Sequence, residues 1–244
     1  MVCALCHQDK VLRNSHIYPE WLYKPLYDEK RRFEVLSIIP EGHNELKQKG
    51  MREYLLCDDC EQKISVWEGY ARSAFVSPEK PLEVSREGTL LSIRGLDYAK
   101  LKLFELSILW RAGVSRLPFF EKLRLGSAHE ERLRLLLLAC DPGDPDRYGA
   151  LMFGLKVGEL PETLQVIAEP RPIRNHGIRA YSLTFGGFLW VFHVSSSVPP
   201  PLLRQCFLRE DGSRFISVRN ALEMRNLQAF AHELNRLGRA PRTR

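Results

Sequence analysis

The sequence lacks any apolar run approaching the roughly 20 residues needed to span a bilayer, and Met1 to Lys10 lack the apolar core of a signal peptide. These absences argue against a membrane or exported chain and set the expectation of a cytoplasmic one. Also missing are a glycine-rich phosphate loop, a Ser-His-Asp arrangement and a convincing H-E-x-x-H pair, so several common enzyme classes get no support from motifs. No internal repeat or low-complexity segment stands out. With 44% apolar residues over 244 positions the chain can build a core, and disorder is not the expected state.

Cysteine is present in a telling pattern. Cys3 and Cys6 form one C-x-x-C pair, and Cys57 and Cys60 form another. In a reducing compartment two such pairs read as a metal pattern, because a tight C-x-x-C turn delivers two thiolates from one short loop. The four cysteines are therefore expected to hold one structural zinc ion. His7 adjoins the first pair, but four thiolates already complete a tetrahedral shell. Cys140 and Cys206 sit among apolar neighbours and read as buried small hydrophobes.

The net charge is +6, which favours an anionic partner without establishing one. Residues 1–80 hold 12 Lys+Arg against 13 Asp+Glu, and residues 81–244 hold 24 against 17, with 20 of those 24 being Arg. Arginine suits bidentate phosphate contacts. The cluster Arg171, Arg174 and Arg179 around His176 fits either a phosphate contact or a solvated loop.

Punctuation by Ser77-Pro78, Lys80-Pro81, Gly88 and Gly95 suggests two units, residues 1–88 and 89–244. In the first, Tyr54 to Leu56 reads as a strand entering Cys57, and a helix follows from Asp58 or Asp59 with Ile64, Trp67, Ala71 and Phe75 at helical spacing. In the second, Asp97 caps a nearly all-apolar helix to about Ala112, which belongs in the centre of a core. Ser127 to Glu130 reads as a capping box opening a helix over 128–140, and this would account for His129. Two hairpins are expected: 180–185 with 188–194 around Gly186-Gly187, and 204–208 with 214–218 around Asp211-Gly212. A last helix spans about 220–237. The expected class is α+β, with a zinc module first and a helical and antiparallel-sheet domain after it.

Between the cysteine pairs stands Ser15-His16-Ile17-Tyr18-Pro19-Glu20, and the second pair lies in Leu56-Cys57-Asp58-Asp59-Cys60-Glu61. A C-x-x-C pair, a strand carrying H-I-x-P, and L-C-x-x-C at a helix start resemble the HNH endonucleases, the ββα-metal or His-Me finger group built on a treble-clef zinc site. The resemblance covers about residues 3–70. It implies that His16 is the general base that activates water against a phosphodiester, and that a hard divalent ion, Mg²⁺ or Mn²⁺, takes part. The flanking metal positions of that family fall on Ser15 and Glu61, both departures from its commonest residues. The orienting Asn of the family has Asn44 as its only nearby candidate.

The implied partner is nucleic acid, with DNA favoured, gripped by the second domain. A protein partner for that domain is the other expectation. The rival reading is a non-catalytic zinc-stabilised subunit that binds nucleic acid or protein, as accessory HNH-like proteins of bacterial antiviral systems do.

Overall fold

The computed structural model describes residues 1–35, 45–76, 81–156 and 165–224. It is a mixed α and β protein. The N-terminal region comprises β1 (Leu12–His16), α1 (Glu20–Tyr23), β2 (Phe33–Val35), β3 (Glu45–Lys47), β4 (Arg52–Cys57) and α2 (Asp58–Val76). Here β1 pairs antiparallel with β4, setting Ser15 opposite Glu53 and His16 opposite Arg52. A bulge between Arg13 and Asn14 re-aims the residues after it. The expected strand into Cys57 and the helix after it are present, and Ile64, Trp67 and Ala71 are buried as their spacing requires.

Next come β5 (Glu83–Glu87), β6 (Leu90–Arg94), α3 (Tyr98–Val114) and α4 (Ser127–Ala139). They lead to β7 (Ala150–Lys156), β8 (Ala168–Asn175), β9 (Ile178–Phe185), β10 (Phe188–His193), α5 (Pro201–Arg204) and β11 (Arg214–Asn220). Among the described residues, seven strands form one sheet in the order β5-β6-β11-β7-β10-β9-β8. Gly88, where the sequence suggests a division, lies between β5 and β6, and this hairpin is part of the sheet.

Helix α3 is buried on every side from Leu101 to Gly113, as its composition demands. Asp97 caps it by accepting from the Lys100 N–H at 3.0 Å. Each large apolar side chain it buries contributes about 1.5–3 kcal/mol. It also buries charge. Glu105 pairs with Arg214 of β11, both 1% exposed. Lys102 donates to the carbonyls of Arg147 and Tyr148 at 2.8 and 3.1 Å, and burial brings its ammonium down to about 8.

One apolar core runs without a break from Cys3 to Ile216. Tyr18, in the H-I-x-P segment, packs on Phe120 and Phe185 with ring centroids 5.2 and 5.1 Å apart, so the N-terminal region is driven directly into the sheet. Trp190 of β10 stacks on Phe185 at 5.0 Å and meets Phe75 of α2 edge-on at 6.0 Å.

Four expectations need correction. Residues 204–208 do not form a hairpin with 214–218: Pro200 and Pro201 open a turn of helix, Phe207 is buried against Gly149, and β11 lies parallel to β7 and antiparallel to β6. The sheet is therefore mixed, not purely antiparallel. The capping box does not form, because Gly126 is the cap and Ser127 already belongs to α4. Cys140 is exposed, in a left-handed conformation that ends α4, and Cys206 is only half-buried. The hairpin of β9 and β10 stands as expected. Most of the expected last helix, from 225 onward, lies outside the described residues.

Candidate metal centre and the histidine beside it

The first cysteine pair sits on a tight turn in which the His7 N–H donates to the Cys3 carbonyl at 2.9 Å, with His7 at a φ of 59°. The second pair straddles the end of β4 and the first turn of α2. Pairing of β1 with β4 sets Leu12 opposite Cys57, and the Ala4 N–H donates to the Leu55 carbonyl at 3.0 Å. The two turns thus face one another, and all four Sγ atoms lie within 4.8 Å of one another.

The Cys6 and Cys57 sulfurs are 3.8 Å apart. A tetrahedron with zinc–sulfur bonds of about 2.3 Å has edges of about 3.8 Å. The Cys57 N–H donates to Cys3 Sγ at 3.3 Å, stabilising a thiolate. Burial pushes the Cys3 thiol up, but N–H groups of Cys6, Cys57 and Leu5 outweigh it and bring it down to about 7. Burial and the neighbouring sulfurs push Cys60 the opposite way. Several thiolates this close repel one another, and a cation among them removes the conflict. The four cysteines fit a metal ion such as zinc.

His16 lies at the end of β1, with its side chain 22% exposed. Its Nε2 is 2.6 Å from Glu20 Oε2, one turn of chain later. Glu20 also accepts from Tyr27 Oη at 2.8 Å and from Arg52 Nη2 at 3.4 Å. A carboxylate held by these donors can only accept, so the imidazole proton sits on Nε2. Among the described residues Nδ1 has no hydrogen-bond partner. Burial and the Arg52 charge lower the His16 pKa below its ordinary value against the opposing pull of Glu20, so the ring is neutral at pH 7.

Arg111, buried in the last turn of α3, donates from Nη1 to the His16 carbonyl at 2.7 Å and pairs through Nη2 with Glu68 of α2 at 2.6 Å. One guanidinium therefore fixes the end of β1 against two helices.

Glu61 follows Cys60 on α2. Its Oε1 is buried without a hydrogen-bond partner, and burial raises its pKa against the pull of Ser15 and Arg111. The Ser15 hydroxyl is buried and accepts from the Leu56 N–H at 3.1 Å. His16 and Glu61 are thus linked through Arg111 and Glu68, which act on both. Asn44 lies outside the described residues.

Sequence reasoning missed Glu20, Arg52, Glu68 and Arg111. The signals for two of them were present: a carboxylate four residues after His16, and the single arginine of a largely apolar helix.

A cavity of about 640 Å³ opens elsewhere, between the first cysteine turn, β4, α3 and α4. Leu12, Leu55, Trp110 and Val114 line it beside Arg116, Glu130 and Arg134, and neither His16 nor Glu61 reaches it. No helix among the described residues is long and apolar enough to cross a membrane. No protein-family profile, curated protein or solved structure matches this chain.

Proposed function

We propose that this chain is a zinc-stabilised HNH-like nuclease in which His16 is the general base of phosphodiester hydrolysis. The supporting observation is the His16–Glu20 contact: it occupies Nε2 and leaves Nδ1 without a partner among the described residues, while burial and the Arg52 charge hold the ring's pKa below its ordinary value against the pull of Glu20. In this reading the turn with two cysteines, the paired strands β1 and β4 and the helix bearing Cys60 serve as the parts of a treble clef.

In this reading Nδ1 takes a proton from a water whose oxygen attacks phosphorus, and the ester P–O bond breaks as the new one forms. Glu20 holds the ring and stabilises the imidazolium. Four thiolates leave a zinc ion no open position for water, so zinc is structural here. A hard divalent ion, Mg²⁺ or Mn²⁺, would stabilise charge on the phosphate and the leaving oxygen. Glu61, through its unpartnered Oε1, is the residue suited to hold it, with substrate phosphate and water supplying the rest.

The zinc-loaded chain should nick or cut DNA only when Mg²⁺ or Mn²⁺ is added. His16→Ala should abolish cutting with zinc content unchanged, and Glu20→Gln should lower it. A folded, zinc-loaded protein that cuts no single- or double-stranded DNA or RNA with any divalent ion, alone or with a copurifying protein, would sink the reading. Cutting by His16→Ala at the wild-type rate would sink it equally.

The second reading is a non-catalytic zinc-stabilised subunit. It is favoured by a different observation: among the described residues, the four cysteines are the one group of three or more His, Cys, Asp or Glu side chains placed to hold a metal.

A further inference from the structure

Most arginines near the zinc region or the turn after β10 are spent on carboxylates: Arg13 on Asp58, Arg134 on Glu131, Arg204 and Arg209 on Asp146. One surface is different. Where α4 meets β8 and β9, Arg124, Arg132, Arg174 and Arg179 are exposed and form no ion pair among the described residues, and half-buried Arg147 adjoins them.

Their placement follows from the fold. The β8–β9 register puts Arg174 directly opposite Arg179. Arg179 lies over the Tyr181 ring at 5.3 Å and donates to the Arg124 carbonyl. His129, in the first turn of α4, is hydrogen-bonded to Tyr148 Oη at 2.9 Å. Arg132 and Arg179 both act on His129, and Arg132 and Arg147 both act on Tyr148.

Glu130 and Glu131 of the same helix line the cavity together with Ser127 and Arg134, and helical spacing sets that face opposite His129 and Arg132. Lys122 is already paired with Glu169 at 3.0 Å.

Like charges directly opposite in a sheet destabilise it unless an anion intervenes. We propose that this arginine face, Arg124, Arg132, Arg147, Arg174 and Arg179, binds the phosphate backbone of a nucleic acid. Guanidinium forks match phosphate oxygens.

Backbone binding needs no apolar anchor, and Leu135 is the one large apolar side chain exposed on α4. A protein partner would need a desolvated apolar centre, which α4 does not offer. The proposal takes its polymer class from the reading above and stands apart from it in mechanism, because the surface can hold nucleic acid whether or not His16 cuts it.

The test is binding of labelled single- and double-stranded DNA and RNA oligonucleotides by the full chain at low salt, without added divalent ion, repeated in the His16→Ala chain. Both should bind. Arg132→Gln with Arg179→Gln should weaken it by about tenfold or more and flatten the log–log salt slope by about 2. Arg86→Gln, on β5 at the opposite edge of the sheet, should leave it unchanged. Zinc content and melting of each variant check the fold. Should the double variant not fold, Arg174→Gln, whose guanidinium bonds only the Gly177 carbonyl, should show a smaller drop in the same direction.

No binding at low salt would overturn the proposal, as would equal losses in Arg86→Gln and the double variant. Competition by poly-glutamate as strong as that by DNA would also overturn it and assign the surface to an acidic protein. Binding without cleavage would leave this proposal standing and remove the nuclease.

Discussion

The N-terminal region and the sheet region solve the same problem by different means. Around the first cysteine turn and β1–β4 the elements are short, and four cysteines lie close enough to share one metal ion. Around α3 and the seven-stranded sheet, close packing supplies most of the stability, and even charge is folded in, as Glu105 with Arg214. A coordination shell gathers its ligands only when its ion is bound, whereas a packed core loses stability in proportion to what is removed. The two meet at Tyr18, which leaves the cysteine region to pack among sheet aromatics.

The largest expected effect lies on the zinc side. Cys60→Ser should remove the metal and unfold the N-terminal region, because the coordination energy of a structural zinc, about 10–16 kcal/mol in small domains, is folding energy. Elemental analysis should give close to one zinc per wild-type chain, and hydrogen exchange on the variant should show protection lost first in residues 1–76. Equal loss across the sheet would break the comparison and make the two regions one cooperative unit.

On the packed side, Glu105→Gln should cost about 3–5 kcal/mol in denaturant unfolding, since it strands the Arg214 charge in the core. Zinc content should not change. Replacing both partners by apolar residues of similar volume should recover most of that loss, and failure to recover would mean that the Arg214 contact with the Ala150 carbonyl matters more than the pair.

The smallest effect sits at the junction. The Tyr18 hydroxyl is buried with no hydrogen-bond partner, so Tyr18→Phe should stabilise by about 1 kcal/mol while keeping the ring contacts. A destabilised Tyr18→Phe would reveal a partner for that hydroxyl and a junction more polar than its packing implies.

Much of this architecture was legible. The paired C-x-x-C spacing marked the four cysteines that the fold brings within 4.8 Å, and helical spacing placed Ile64, Trp67 and Ala71 on the buried face of α2. Gly186-Gly187 marked the β9–β10 hairpin correctly, while Asp211-Gly212 misled as to what pairs with β11. The Gly212 turn is real, with a φ of 74°, but it packs against the Leu96 backbone, and β11 passes between β6 and β7.

The sequence by itself determined the cysteine pairs, the central helix and the local turns, because each is set by residues a few positions apart whose spacing alone dictates their geometry. Only the tertiary structure decided that Arg111 would hold the His16 carbonyl 95 residues away, that Glu20 would occupy one nitrogen of the ring, and that unpaired arginines from α4, β8 and β9 would gather on one face. Those outcomes depend on which distant surfaces pack together, and free energy shared over a whole core leaves little trace in local spacing.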